Sequence, residues 1–390
     1  MSFDDIIDFR GQHSQKWDMM EQTMGVSAED GLAMWVADMD FRPPQSMIDT
    51  VAKLNTRGIY TYFGGPDDYN GSIQWWMKER HGWDVDAQAI FSTQGLVNAV
   101  AICLESYTKP GDGVVIFTPV YHAFARVIRA NDRALVECPL VVQDGAYAMD
   151  FDAWDAQMTG KEKMAILCSP HNPGGRVWTR DELQGMADFA KRHDLILLSD
   201  EIHHDLVFPG QKHIAMPLVD PSIADRLIML TATSKTFNVA GMHCGNAIIH
   251  DAALRAPFAK RISQLSLTPN SLSMHMTPAL YSPDGGAWVN GLVAYLEGNA
   301  RCFMDGMTTI PGLKMMPMQG TYLAWVDFAD TGMSRDEFSR RVAEEANIAA
   351  SPGPVFGMGG DSYLRFNLGM PRSRIEDAVE RMQRAFRDLQ

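Results

Sequence analysis

Hydrophobic positions along the chain fall into two textures that change near residue 285. Between about residues 95 and 250, short runs that are apolar at every position alternate with stretches of helical periodicity: Val114 to Phe117, Met164 to Cys168, Leu195 to Leu198 and Leu227 to Leu230. Side chains alternate faces along a strand, so such runs predict strands buried on both sides, the pattern of a parallel sheet covered by helices. Between two of the runs, Thr179-Arg-Asp-Glu182 spells a capping box, followed by Leu183, Met186, Ala187 and Ala190 at i, i+3, i+4, i+7 spacing. That predicts a crossover helix and an open α/β sheet domain.

Past residue 285 the pattern predicts a smaller α+β domain over 285–390. It holds a long helical stretch around Trp288 to Met307, a strand-like Thr321 to Phe328, and capping boxes at Ser334 to Glu337 and Ser373 to Glu376. The last box opens a helix with Ile375, Val379, Met382 and Phe386 on one face. Residues 1–45 have weak periodicity and the turn-rich FRPPQ, which reads as an arm docking on another element. The large domain then spans 46–284. Asp67-Asp68, after Gly64-Gly65-Pro66, reads as a turn.

Composition narrows the function classes. At about 150 residues per domain, 390 residues predict two or three domains with a core that needs no disulfide or metal staple. Lysine plus arginine total 34 against 48 acidic residues, a net charge of −14 and a pI near 5.2. That balance argues against nucleic-acid and membrane partners. No run approaches the roughly 18 apolar residues of a membrane span, and the acidic start MSFDDIIDFRGQ is unlike a signal peptide. A cytoplasmic location is expected. The five cysteines are scattered without C-x-x-C spacing and read as buried small apolar residues.

In an open α/β sheet, ligands bind beyond the carboxyl ends of the strands. There three successive runs deliver an amide, a carboxylate and an amine: Asn172 after Met164 to Cys168, Asp200 after Leu195 to Leu198, and Ser234-Lys235 after Leu227 to Leu230. A rim lysine can form an imine with a carbonyl cofactor, and a carboxylate can keep a pyridine nitrogen protonated. The combination points to pyridoxal 5′-phosphate (PLP). For its phosphate, Gly95-Leu96-Val97 leads into an apolar helical stretch whose free N–H groups suit an anion, and Ser234 can donate a further hydrogen bond. His203 and His204 adjoin Asp200, Glu201 and Asp205, but adjacent residues of an extended chain point to opposite sides, so no metal site is expected.

Lys16-Trp17-Asp18, Ala37-Asp38-Met39-Asp40-Phe41, Arg80-His81-Gly82-Trp83, Ser199-Asp200-Glu201-Ile202-His203 and Ser234-Lys235-Thr236-Phe237-Asn238 together resemble the fold-type I PLP enzymes of the class I/II aminotransferase superfamily. Within it they resemble the cystathionine β-lyase or C–S lyase subgroup. The resemblance covers nearly the whole chain and implies a large domain with a mostly parallel seven-stranded sheet covered by helices, plus a smaller α+β domain. It implies that Lys235 holds the cofactor and moves the substrate α-proton, that Asp200 pairs with the ring nitrogen, and that Tyr121 stacks on the ring. Asn172 is implied as donor to the ring hydroxyl with His203 nearby, and Arg365 as the clamp on the substrate α-carboxylate beside Asp38. Tyr62 resembles the tyrosine that reaches the phosphate of a neighbouring subunit, which implies a homodimer. The family often has arginine eight residues after the lysine; here it is His243, so the phosphate is expected to lean on Gly95, Leu96, Ser234 and the partner tyrosine. The expected reaction is β-elimination of a thiol from cystathionine or another S-substituted cysteine. Transamination on the same scaffold and a regulatory binding protein are the alternatives.

Overall fold

Each of the four apolar runs falls on a strand of one sheet in the computed structural model, which describes residues 2–389, with Leu195 one residue ahead of its strand. In chain order the strands are β1 (Leu32–Met34), β2 (Ile90–Thr93), β3 (Gly113–Thr118), β4 (Ala134–Pro139), β5 (Val141–Gln143), β6 (Ala146–Ala148) and β7 (Glu162–Cys168). There follow β8 (Ile196–Asp200), β9 (Leu227–Thr231), β10 (Gly245–Ile248), β11 (Lys314–Met315), β12 (Leu323–Asp327), β13 (Ile348–Pro352) and β14 (Tyr363–Asn367). The large sheet has seven strands in the order β2-β10-β9-β8-β7-β3-β4, and β10 runs against both its neighbours while the other pairs are parallel. Alternate residues of β3 enter opposite cores: Val114 and Ile116 pack with helix Leu96–Tyr107, Val115 and Phe117 with helix Arg180–Arg192. Burial on both faces is why these runs carry no polar alternation.

The expected capping box forms: Thr179 accepts from the Glu182 N–H and Glu182 accepts from the Thr179 N–H. The second is half present, with Ser334 accepting from Glu337 N. The third does not form. Helix Arg372–Ala385 starts one residue before Ser373, after Pro371, and the Arg372 N–H is satisfied by the Tyr295 hydroxyl at 2.6 Å. Asp67 and Asp68 are not a turn either. Pro66 opens helix Pro66–His81, and both carboxylates sit in its first turn, where the helix dipole favours negative charge.

The smaller sheet runs β1-β13-β14-β12-β11. The N-terminal arm contributes β1, which pairs parallel with β13, Leu32 opposite Ile348. Helix Pro283–Met307 packs on helix Arg372–Ala385 so closely that a Cβ on Gly306 would meet Val379 Cγ1 at 2.3 Å. All five cysteines are free thiols, four of them buried. No helix among the described residues is long and apolar enough to cross a membrane.

Candidate active site

Strand register sets the rim. Cys168 at the end of β7 lies opposite Asp200 at the end of β8, and Asp200 opposite Leu230 of β9. The segments that follow therefore leave the sheet at one level, carrying Asn172, His203 and Lys235. Lys235 sits in the short helix Thr233–Thr236, and its Nζ donates to the Ala37 carbonyl at 2.7 Å. Burial lowers its pKa, with Arg365 acting in the same direction and Asp38 and Asp200 opposing. Asp200 is buried and accepts from the Ile202 N–H at 3.1 Å, and burial pushes its carboxyl up to about 7.

The segment carrying Ala37 is a strap held from several sides, and the motifs quoted above supply the holds. Asn238 donates to the Met39 and Phe41 carbonyls at 2.7 and 2.8 Å and accepts from the Met39 N–H at 2.8 Å. Asn367 donates to the Val36 and Asp38 carbonyls. Asp40 accepts from Lys16 Nζ at 3.0 Å, Trp17 Nε1 at 3.1 Å and Arg374 Nη1 at 3.2 Å. Lys16 and Asp40 are each only 2% exposed.

Arg365 on β14 is buried, and both its Nη groups are engaged. Its Nη1 donates to Asn172 Oδ1 at 3.1 Å, its Nη2 to the Trp35 carbonyl at 2.7 Å and to Ser351 Oγ at 3.2 Å, and its guanidinium lies 4.9 Å above the Phe356 ring. Burial pulls its pKa down to about 10, leaving it cationic at neutral pH. Phe356 belongs to the glycine-rich loop before β14, which hangs over the rim through a Val120 N–H bond to the Phe356 carbonyl at 2.8 Å. Tyr121, next to Val120, immediately precedes helix His122–Ala130, and burial raises its pKa, with the charges of Arg365, Asp200 and Asp38 also felt.

His203 and His204 do diverge. The His203 ring is directed toward Tyr322, 6.0 Å between centroids, and burial drives its pKa down to about 3, so it is a neutral imidazole. His204 turns the other way and joins His81 and Asp205, three donors within 4.8 Å of one another. Both Asp205 oxygens are already taken. Oδ1 accepts from His81 at 3.0 Å and Trp76 at 3.1 Å with Arg80 Nε at 3.4 Å, and Oδ2 accepts from Thr236 at 2.8 Å and faces His204 at 3.1 Å. The cluster is an ion-pair hub that ties Thr236, beside Lys235, to helix Pro66–His81. His171, nearby, uses Nδ1 to accept from the Gly174 N–H.

At the other side of the rim, Gly95 has φ +95°, a conformation open to glycine, and precedes helix Leu96–Tyr107. Ala99 is the residue whose N–H bonds back to the Gly95 carbonyl, so the N–H groups of Leu96 and Val97 have no partner within the helix. Ser234 is half-buried beside Lys235. Tyr62 and His243 stand apart from the buried cluster, both exposed, on a groove of about 1170 Å³ that also reaches Ser92, Gln94 and Asn270.

Two groups at the rim escape a reading of motifs. Tyr322 follows Gly320-Thr321 at the start of β12, is 1% exposed, and donates to the Ala37 carbonyl at 2.8 Å. The Ala37 carbonyl itself is backbone and invisible to side-chain pattern. A buried tyrosine opening a strand was the available signal, since its hydroxyl must find a partner.

These residues fit PLP. Thr118 Oγ1, Ser169 Oγ, Thr231 Oγ1, His203 Nδ1 and Arg365 Nε are buried polar atoms with no partner among the described residues, and they gather at the carboxyl ends of β3, β7, β8, β9 and on β14. A ligand rich in oxygen and ring nitrogen answers that deficit. The donor set of a primary amine, an acid, a flat phenol and an unsatisfied helix start matches an aldehyde, a pyridine nitrogen, an aromatic face and a phosphate.

Comparison with known proteins agrees. The aminotransferase class I and II family profile matches residues 34–382. Cystathionine beta-lyase PatB of Bacillus subtilis is 35% identical, over 99% of this chain and all of that protein. The crystal structure of cystalysin from Treponema denticola, containing PLP, superposes with a TM-score of 0.94 at 36% identity, covering 100% of this chain and 99% of that one. The PLP-bound C–S lyase of Staphylococcus hominis gives 0.90 at 28% identity over 99% and 98%. With a profile match across most of its length and a fold shared from end to end, the chain belongs to the aminotransferase class I and II family of PLP-dependent, fold-type I enzymes.

Proposed function

We propose that the chain is a C–S β-lyase that converts an S-substituted cysteine such as cystathionine into a thiol, pyruvate and ammonia, working as a homodimer in which Tyr62 serves the neighbouring subunit. The observation that carries the reading is the convergence of a half-buried amine with a buried acid and a buried guanidinium at one rim, in a chain alignable throughout with proteins named for that reaction. PLP, when bound, supplies the electron sink that lets an amino acid release its α-proton.

The chain does the rest. Lys235 holds the cofactor and, as a free amine, accepts the α-proton at Nζ; a lysine whose burial lowers its pKa is neutral, and so basic, over more of the working range. Asp200 keeps a proton at the ring nitrogen, and its burial strengthens that contact. Arg365 grips the α-carboxylate, with Nε free for it and both Nη groups pinned so that the fork cannot swing. Asn172 is fixed by the same guanidinium. Gly95, Leu96 and Ser234 hold the phosphate, and His243, in the groove with Tyr62, adds one donor where a guanidinium fork would add charge.

Two measurements test the reading. Borohydride reduction and peptide mapping should place the cofactor label on Lys235. Incubation with cystathionine and no 2-oxo acid should release pyruvate and thiol in equal amounts. Turnover that requires a 2-oxo acid would mean that Lys235 returns the proton and that the enzyme is a transaminase.

A further inference from the structure

Two donors meet on one backbone oxygen in the centre of the site. Lys235 Nζ and the Tyr322 hydroxyl both donate to the carbonyl of Ala37, at 2.7 and 2.8 Å. That carbonyl cannot retreat, because the strap bearing it is pinned on either side of Ala37 by Asn367, through the Val36 and Asp38 carbonyls, and by Asn238, through Met39. A carbonyl oxygen has two lone pairs. Here one serves the lysine and the other serves the phenol.

We propose that Tyr322 is a positioning residue for Lys235: by occupying the second lone pair of the Ala37 carbonyl, it weakens that carbonyl's hold on the lysine ammonium and so favours the free amine. The inference rests on the reading of Lys235 as the cofactor lysine. Its physical basis is the shared acceptor. Two positive hydrogens aimed at one oxygen repel each other, and the electron density drawn by the phenol is no longer available to the ammonium. The phenol itself stays neutral, because burial raises its pKa well above that of free tyrosine. The charged and titratable groups around the pair come from every neighbouring element. Asp38 lies on the strap, Asp200 at the end of β8, His203 on the segment after it, Arg365 on β14 and Tyr121 before helix His122–Ala130. Asp38 and Asp200 favour the ammonium and Arg365 opposes it. Tyr322 is the group that acts on the amine's own acceptor, so its contribution can be separated from theirs.

The measured quantity is the pH dependence of the rate at which PLP forms a borohydride-trappable bond to Lys235 in the full-length chain freed of cofactor. That rate follows the fraction of Lys235 present as free amine. In Tyr322→Phe the midpoint should move up by about half to one pH unit, the scale set by one hydrogen bond to a charged group. Replacement of Tyr322 by 3-fluorotyrosine, which keeps the shape but is a stronger donor, should move it down. An upward shift in Tyr322→Phe together with a downward shift in the 3-fluorotyrosine variant supports the proposal, and the reverse pair overturns it. Unchanged midpoints, or shifts of the same sign, overturn it, since a residue that only fills space would not separate the two. Failure of PLP to label Lys235 in the unaltered chain would instead remove the reading of the site.

Discussion

Arg365, Asp200 and His243 differ in what each can lose. Arg365 is held by three acceptors and stacks on Phe356. Arg365→Lys keeps the charge but loses the planar fork, so KM for the amino acid should rise roughly 10- to 100-fold in steady-state kinetics. Asp200 has its carboxyl raised from 3.8 to about 7 in the folded chain. Its stabilising contribution is therefore complete below pH 4 and lost as pH rises through about 7. In the cofactor-free protein, Asp200→Asn should melt roughly 3 °C or more above the parent at pH 8 and match it near pH 4, by calorimetry. The same variant should turn over cystathionine about 100-fold more slowly or worse once loaded, since the proton at the ring nitrogen is no longer held by an acid. His243→Arg should tighten PLP binding several-fold in equilibrium dialysis if the phosphate lacks charge; an unchanged affinity would show that Gly95, Leu96 and Ser234 already suffice.

Among the elements, the strap of residues 36–41 holds the Ala37 carbonyl against Lys235. Its anchor is Asp40, which holds Lys16, Trp17 and Arg374 away from water. Breaking a buried pair leaves an uncompensated charge, so Asp40→Ala should cost about 3–5 kcal/mol, read as a fall in denaturation midpoint. The Asp205 hub plays the matching part beneath Lys235, through Thr236. Lys16-Trp17, Ala37 to Phe41 and Ser234 to Asn238 stand out in the sequence as motifs, yet Lys16, Trp17, Asp40 and Asn238 spend their side chains on holding the strap in place. The capping boxes teach a similar lesson. Thr179 and Glu182 close a box because both sit at a helix start in the fold, whereas Ser373 is displaced from that role by Pro371 and by the Tyr295 hydroxyl.

For the whole molecule, acid is the expected weakness. Burial holds His81 down to about 4 and His171 and His203 to about 3, against an ordinary value of 6.5. Each contributes stability that is present above pH 6.5 and is lost as pH falls toward the folded value, because the unfolded chain takes up the proton first. Burial lowers His122 and His250 in the same way, while Asp200 works the other way, so five groups stand against one and the denaturation midpoint should fall between pH 6.5 and 4. The groove bearing Tyr62 and His243 is the surface on which the dimer proposal turns. Tyr62 is fully exposed in the single chain. Tyr62→Ala should weaken PLP retention in a dimer, and sedimentation should show whether the chain is paired.

What the sequence determined by itself is local or additive. The apolar runs became β3, β7, β8 and β9 because a strand buried on both faces has no polar positions to hide, and their polar sequels marked the rim because parallel strands end together. The short strands β2, β4 and β10 were not legible, since their pattern is broken by residues such as Asn246, which is tolerated inside only because Tyr69 bonds it from a distant helix. Tertiary structure alone decided that the arm feeds β1 into the smaller sheet, that His81 meets His204 and Asp205, and that Tyr322 and Lys235 share the Ala37 carbonyl. Those are pairings between residues 123 to 316 positions apart, and hydrogen bonds to backbone leave no trace in side-chain order. Distance along the chain hides them until the sheet brings the segments together.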